Sequence, residues 1–205
     1  MRLENKVAIV TGAGQGLGMA MALAYAKEGA KLALASRTLS QLEETASLAQ
    51  ELGVETLVVP TDVSDQEQVE ELVKRTLERF STVDILVNNA AMNGPIGMLW
   101  DDDPTDWMQT LQVNLFGTYL CSRTVLPVML RNDVGKIVNV TSCPSAFMGD
   151  TPYKPASEYR HFTAYTSSKA GQIQLTENLA YQLAGRNIQV NAMQPAGQTK
   201  GLQEI

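Results

Sequence analysis

Short apolar runs alternate with amphipathic stretches along the chain, and this alternation restricts the fold more than any other feature. The first run, Val7 to Val10, leads through a glycine-rich turn into a helical pattern from about Gly16 to Lys27. Strands and helices in alternation predict βαβ units, in which helices cover both faces of a parallel sheet. Because no repeat, low-complexity tract or linker divides the sequence, we expect one doubly wound α/β domain over residues 1–205.

The remaining elements follow the same order. Strands are expected at about 32–35, 57–59, 85–87, 137–140 and 188–193, and helices at about 40–52, 64–80, 103–130 and 163–183. Ser64, with Glu67 three residues on, predicts a capping box at the start of the third helix. Asp103 before Pro104 predicts the N-terminus of the fourth. The helix dipole then explains the three aspartates at 101–103, and we expect no metal site.

Composition and charge exclude several classes of protein. Sixteen Lys and Arg against 22 Asp and Glu leave a net charge of −6, which disfavours nucleic acid or a membrane surface as a partner. No apolar run reaches the roughly 18 residues that a transmembrane helix needs, and the first strand begins too early for a signal peptide. We therefore expect a soluble, cytoplasmic protein. Two cysteines and one histidine do not make a disulfide framework or a usual zinc site.

A glycine-rich turn follows the first strand and opens the first helix. It reads Thr11-Gly12-Ala13-Gly14-Gln15-Gly16-Leu17-Gly18. Glycines permit positive φ and close approach of a pyrophosphate, which binds the exposed N–H groups of a helix N-terminus. Leu17 stands where the third glycine of the strict G-x-G-x-x-G fingerprint belongs. The strand-turn-helix context favours a dinucleotide site over a simple tight turn.

The end of the second strand bears on the choice of dinucleotide. NAD-binding sites usually place a carboxylate there, on the ribose 2′-hydroxyl. This chain has Ser36 and Arg37 instead, so no carboxylate repels a 2′-phosphate and a guanidinium is available to bind it. We therefore expect NADP rather than NAD, although Arg37 can also be read as an ordinary surface charge.

A tyrosine and a lysine lie four residues apart in the fifth predicted helix. Of six tyrosines, only Tyr165 has a lysine, Lys169, at this spacing. The spacing places the ammonium beside the phenol on one helix face. Nearby positive charge lowers the pKa of a tyrosine toward neutrality, as acid–base catalysis requires. A surface pair has the same spacing, so the pattern needs further support.

The ordered motifs resemble the short-chain dehydrogenase/reductase superfamily over nearly the whole chain. The motifs that match, in chain order, are Thr11-Gly12-x-x-x-Gly16-x-Gly18, Asp62-Val63, Asn88-Asn89-Ala90, Asn114, Ser142, and Tyr165 with Lys169. Ala91 replaces the glycine that ends the family's Asn-Asn-Ala-Gly motif. The resemblance implies a Rossmann-like sheet of order 3-2-1-4-5-6, and it implies homodimers or homotetramers formed through the fourth and fifth predicted helices.

The resemblance also implies roles for these residues. Tyr165 would be the general acid or base for a carbonyl or alcohol substrate, and Lys169 would lower its pKa and hold the nicotinamide ribose. Ser142 would bind the substrate oxygen, and Asn114 would hold a water in a proton relay. The residues assigned to the cofactor are Gly12, Gln15, Gly16, Leu17, Gly18, Ser36, Arg37, Asp62, Val63, Asn89, Ala90, Tyr165, Lys169, Pro195 and Thr199.

Two departures from the family pattern concern the substrate. The 23 residues from Ser142 to Tyr165 exceed the common gap, and the surplus offers Tyr153, Tyr159 and His161 as pocket residues or forms a plain surface insertion. The sequence after Pro195 lacks the lid helices and seventh strand that family members carry, which would leave the sixth strand at an open edge. The main interpretation is an NADP-dependent reductase or dehydrogenase. The alternative is a truncated or lid-less member that binds dinucleotide or a partner protein with little turnover.

Overall fold

A parallel sheet of six strands forms the centre of the structure, a computed structural model that describes residues 1–142 and 162–195. The strands are β1 (Val7–Thr11), β2 (Lys31–Ser36), β3 (Thr56–Pro60), β4 (Ile85–Asn88), β5 (Gly135–Val140) and β6 (Ile188–Met193). Their order, β3-β2-β1-β4-β5-β6, confirms the doubly wound fold expected from the sequence. Within the described ranges β6 ends the sheet.

Helices flank the sheet on both faces. They are α1 (Gly16–Lys27), α2 (Leu39–Glu51), α3 (Gln66–Phe80), α4 (Pro104–Leu111), α5 (Gly117–Asn132) and α6 (Thr163–Gln182). The strands divide their side chains between two apolar cores, as the two-residue period of a strand requires. Ile9 of β1 belongs to the core under α3 and α5, whereas its neighbours Ala8 and Val10 belong to the core under α1 and α2.

The start of α3 differs from the sequence-based prediction. Asp65, not Ser64, caps the helix, since its carboxylate accepts a hydrogen bond from the backbone N–H of Gln68 over 3.1 Å. Ser64 instead donates its hydroxyl to Asp62 over 2.6 Å. The predicted box of Ser64 with Glu67 is therefore wrong, because an acidic side chain directly after Ser64 takes the capping position.

The predicted helix from 103 to 130 is continuous but not uniform. Asp103 caps its start, as expected, by accepting a hydrogen bond from the N–H of Thr105 over 2.7 Å. A π-helical turn, Gln112–Phe116, separates α4 from α5. Such turns are rare, and they occur frequently at functional sites. This turn places Asn114 in the interior of the protein.

Candidate active site

The carboxyl ends of β1 and β4 are joined by side-chain hydrogen bonds. The hydroxyl of Thr11 donates to the carbonyl of Val87 over 3.1 Å and accepts from the N–H groups of Asn89 and Ala90 over 3.0 and 3.1 Å. The Asn89 amide donates to the carbonyls of Thr11 and Gly12 over 3.0 and 3.2 Å. The glycine-rich turn and the segment after β4 thus form one rigid rim, at the strand ends where open α/β sheets bind ligands.

A cavity of about 450 Å³ opens beside this rim. The sequence-predicted cofactor residues that line it are Gly12, Gln15, Gly16, Leu17, Gly18, Ser36, Arg37, Asp62, Val63, Asn89 and Ala90. They come from the ends of four strands that are distant in sequence, so the fold brings these eleven residues together. Tyr165 and Lys169 are not among the residues that line the cavity. A volume of this size suits a small-molecule or cofactor site.

Two glycines give the turn its shape in different ways. Gly16 has φ of +54°, and a β-carbon there would meet nothing within 4 Å, so its open side faces free space. Gly14 is closely packed, because a β-carbon there would lie 2.9 Å from Gln41 Cβ and 3.0 Å from the Ser36 hydroxyl oxygen. The turn therefore packs on α2 at one point while it leaves backbone exposed at another.

The end of β2 carries an unusual polar atom. The Ser36 hydroxyl oxygen is buried and has no hydrogen-bond partner among the described residues. Buried polar atoms are nearly always paired, so such an atom in a cavity wall indicates a place for a polar group of a ligand. Arg37 is exposed at the same end of the cavity.

Asp62 and Val63, after the end of β3, form another part of the cavity wall. Asp62 is held from both sides, since its carboxylate accepts from the Ser64 N–H over 2.9 Å and its own N–H donates to the Gln68 side chain over 2.8 Å. Val63 is 6% exposed and packs closely on Gly117. A β-carbon added to Gly117 would lie 2.7 Å from Val63 Cγ2. The wall is therefore fixed against the first turn of α5.

Asn114 ties the π turn to two other parts of the site. Its side-chain oxygen accepts from the Met92 N–H over 2.8 Å, and its side-chain nitrogen donates to the Met92 carbonyl over 2.9 Å. The same nitrogen donates to the Ser168 hydroxyl of α6 over 3.0 Å. Asn114 is fully buried, so this set of bonds fixes the segment after β4 relative to α6.

Tyr165 and Ser142 meet at the end of β5. Their side chains share a hydrogen bond, which lowers the pKa of Tyr165, but burial has the larger effect and raises that pKa above its ordinary value. One side chain comes from the first turn of α6 and the other from just beyond β5. The structure therefore juxtaposes two hydroxyl groups that the sequence separates by 23 residues.

Lys169 lies beneath the tyrosine. Its amine is 5.4 Å from the centre of the Tyr165 ring and donates a hydrogen bond to the Val140 carbonyl over 2.7 Å. Burial lowers the pKa of Lys169 to about 8. The i, i+4 spacing thus brings the two groups together, with the amine against the ring face, and the expectation that Lys169 lowers the pKa of Tyr165 stays a prediction.

Some sequence predictions fall elsewhere. Pro195 is exposed and follows β6 without lining the cavity. Thr199 and the three pocket candidates Tyr153, Tyr159 and His161 lie outside the described residues.

Sequence reasoning missed other residues of the cavity wall, namely Gly14, Thr38, Gln41, Thr61, Ala91, Met92 and Val113. Gln41 is the most informative, because its amide lies 3.5 Å from the Gln15 side-chain oxygen and so spans from α2 to the turn. Its position on the first turn of α2 gave no local signal, since only the packing of α2 on the glycine-rich turn brings it to the cavity.

Two of the three aspartates before α4 have structural partners. Asp103 is the helix cap, and Asp102 accepts a hydrogen bond from the Thr163 hydroxyl over 2.9 Å.

Across the described ranges, no helix combines the length and apolar character needed to cross a bilayer.

Comparisons with known proteins place this chain in a family. Residues 6–204 match the family model for short chain dehydrogenases. An uncharacterized oxidoreductase of Thermotoga maritima is 35% identical over 193 residues, which is 94% of this chain and 71% of the relative. A 3-oxoacyl-acyl-carrier-protein reductase of the same organism is 34% identical over 195 residues, covering 95% of this chain and 75% of the relative.

Solved structures agree with these relatives. The structure of NAD+-bound xylitol dehydrogenase matches with a TM-score of 0.86 at 33% sequence identity. The match covers 95% of this chain and 71% of the dehydrogenase chain. The structure of levodione reductase matches with a TM-score of 0.89 at 30% sequence identity, and the match covers 99% of this chain and 76% of the reductase chain. The chain therefore belongs to the short-chain dehydrogenase family, whose members are oxidoreductases that bind NAD or NADP.

Proposed function

We propose that this chain is an NADP-dependent carbonyl reductase or alcohol dehydrogenase in which Tyr165 is the general acid or base. We further propose that residues 1–205 form one dinucleotide-binding and catalytic domain. The observation that carries the proposal is the hydrogen-bonded pair of Tyr165 and Ser142, beside the buried amine of Lys169. Ser142 follows β5, the strand beside β4, so these groups lie at the same carboxyl edge of the sheet as the glycine-rich cavity.

The cavity fits a dinucleotide phosphate cofactor. The N–H groups at the start of α1 and the open side of Gly16 suit a pyrophosphate. The unpaired hydroxyl of Ser36 and the exposed guanidinium of Arg37 suit a 2′-phosphate, since charged groups form the stronger hydrogen bonds. Asp62 and Val63 would flank the adenine. When bound, the cofactor supplies or accepts the hydride. The chain then has to bind and orient the cofactor and the substrate, and to move a proton.

Tyr165 would perform the proton transfer. In carbonyl reduction its hydroxyl donates a proton to the substrate oxygen, and in alcohol oxidation its oxygen accepts that proton. Ser142 would hold the same substrate oxygen by a hydrogen bond, which stabilises the negative charge that develops there. The existing bond between the two side chains aligns both of them toward one small volume.

Lys169 would support Tyr165 electrostatically. Its amine, held by the Val140 carbonyl, lies against the tyrosine ring in a buried setting where charges interact more strongly than in water. A protonated Lys169 favours the tyrosinate and so offsets the effect of burial on the tyrosine pKa. In the proposed enzyme the same amine also binds a ribose hydroxyl of the cofactor.

The substrate is a small-molecule carbonyl or alcohol. The named relatives include a 3-oxoacyl-acyl-carrier-protein reductase, a xylitol dehydrogenase and a levodione reductase. An acyl thioester, a polyol or sugar, and a cyclic ketone therefore head the candidates, with a steroid and a small ketone beside them.

The exposed face of α5 suggests self-association. Phe116 and Tyr119 are 39% and 43% exposed, and their rings stack with centroids 5.7 Å apart. Aromatic residues are enriched in protein interfaces. We propose that this face, together with α6, forms the contact of a homodimer or homotetramer.

The function is tested by an NADPH oxidation assay over a panel of these carbonyl compounds. We expect turnover by the parent chain and its loss in Tyr165→Phe, which keeps the ring but removes the proton donor. Tyr181→Phe is the matched control, since Tyr181 lies on the same helix and is 81% exposed. Binding of NADPH without turnover of any compound would instead favour a lid-less family member that binds dinucleotide or a partner protein.

A further inference from the structure

The side chain of Gln172 reaches from α6 into the π turn. It is fully buried, and its amide nitrogen donates to the Asn114 carbonyl over 2.8 Å and to the Thr118 hydroxyl over 2.6 Å. The Thr118 hydroxyl donates to the same carbonyl over 2.8 Å. We propose that Gln172 is a positioning residue for Asn114 and, through it, for the proton-transfer side chains. The inference rests on the proposed function.

The π turn needs such support more than a regular helix does. Its wider hydrogen-bonding pattern makes it a rare element that persists where its surroundings stabilise it. Two side chains, one from each neighbouring helix, donate to the carbonyl of Asn114 within this turn. Gln172 is the donor that comes from outside the turn's own helix, so it fixes the turn relative to α6.

Movement of Asn114 would displace both the cavity wall and Tyr165. Its side chain holds both backbone polar groups of Met92, which lines the cavity. It also donates to the Ser168 hydroxyl, which in turn donates to the backbone carbonyl of Tyr165 over 2.7 Å. A shift of the π turn therefore changes the placement of Tyr165 relative to the cavity wall.

The oxygen of the Gln172 amide shows that this side chain is unfavourable for stability. Its oxygen is buried without a hydrogen-bond partner in the described part of the chain, an arrangement that costs free energy. The nitrogen has to face Asn114, because a carbonyl oxygen can only accept. A leucine would fill similar space without an unpaired atom. An amide kept despite this cost points to a role in placement, since each such atom in a native core calls for an explanation.

The test compares Gln172→Leu with Gln174→Leu, which makes the same change at an exposed position of the same helix. For each variant, kcat and KM are measured with NADPH and the best carbonyl substrate, and the Kd for NADPH is measured by fluorescence titration. We expect Gln172→Leu to lower kcat by about ten- to hundredfold, because misplaced groups lose much of their effect. The Kd for NADPH should stay close to that of the parent, and Gln174→Leu should match the parent throughout.

Hydrogen exchange gives a second readout that needs no turnover. Peptides from residues 108–120 should exchange faster in Gln172→Leu than in the parent, while peptides from α1 should not change. Gln172→Met, which keeps an unbranched chain of similar length, replaces Gln172→Leu if that variant does not fold. An unchanged kcat, or a fall in NADPH affinity equal to the fall in kcat, would overturn the proposal. If the parent turns over none of the compounds, the proposed function fails, and exchange alone decides: faster exchange at 108–120 supports the positioning role, and unchanged exchange refutes it.

Discussion

The amine of Lys169 donates a hydrogen bond to the backbone carbonyl of Val140 over 2.7 Å, deep inside the protein. This bond anchors the end of β5 to the first two turns of α6. Burial disfavours the charged form of the amine and lowers the pKa of Lys169 from its ordinary value of 10.5 to about 8. The lowered pKa makes the stability of the protein depend on pH in a defined direction.

Replacement of Lys169 by methionine should alter this pH dependence. Between about pH 8 and pH 10.5 the unfolded chain holds the Lys169 proton while the folded chain has released it, so the parent gains stability as pH rises. Below about pH 8 the full penalty for burying the charge is present. The free energy of unfolding of Lys169→Met minus that of the parent should therefore fall by about 3 kcal/mol from pH 7.5 to about pH 10.5.

Denaturant unfolding at a series of pH values checks this prediction. Lys136→Met, at an exposed position of β5, is the control. A constant difference between Lys169→Met and the parent over the whole range would show that burial does not shift the lysine.

The end of β2 should determine the choice of cofactor. Arg37→Ala should weaken NADPH binding by about ten- to hundredfold, the equivalent of one or two charge-assisted hydrogen bonds, with little effect on NADH. Ser36→Asp should go further and favour NADH, because a carboxylate there repels a 2′-phosphate and accepts from a 2′-hydroxyl. Fluorescence titration with both dinucleotides measures the change, and Arg131→Ala on the exposed end of α5 is the control. Equal losses for NADPH and NADH in Arg37→Ala would argue against a 2′-phosphate site.

The hydroxyl of Thr11 should contribute strongly to stability. Thr11→Val keeps the shape but leaves the N–H groups of Asn89 and Ala90 without their acceptor. We expect the free energy of unfolding to fall by about 2–4 kcal/mol. Thr124→Val tests the specificity of the effect, since the Thr124 hydroxyl donates to the Leu120 carbonyl of its own helix. Equal losses in both variants would mean that the rim adds nothing beyond an ordinary threonine.

The aromatic pair of Phe116, at the end of the π turn, and Tyr119 of α5 should control assembly. Tyr119→Arg places a charge on the exposed face, and charged residues are depleted at interface cores. We expect light scattering to show a smaller assembly for Tyr119→Arg than for the parent at equal concentration. Tyr181→Arg, on an exposed position near the end of α6, maps how far the contact extends. A parent that is monomeric would refute the proposed interface.

Period and order in the sequence were sufficient to predict the sheet. The run around Ile9 has neighbours that alternate between the two cores, and this pattern is local. The glycine turn and the residues after β4 were also predictable as parts of one site, since parallel strands end at the same edge. Their direct contact through Thr11 was not, because it depends on side chains that are distant in sequence.

The features that sequence reasoning missed depend on tertiary contacts. A π turn has the same local composition as an α-helix, and the turn at Asn114 is held by donors from Thr118 and Gln172. The third helix has competing caps at adjacent positions, and the choice of Asp65 over Ser64 depends on the bond from Ser64 to Asp62. Gln41 reaches the cavity only because α2 packs on the turn.

The hydrogen bonds from the Asn89 side chain to the glycine-rich turn have a consequence for synthesis of the protein. The two hydrogen-bonded partners, Asn89 and Thr11, are 78 residues apart, and β4 is needed to bring them together. A nascent chain that has emerged only through α2 holds the whole glycine turn but not the groups that fix its shape. Ligand capture on the ribosome should therefore begin only after the segment following β4 has left the exit tunnel, because domains fold as units during translation.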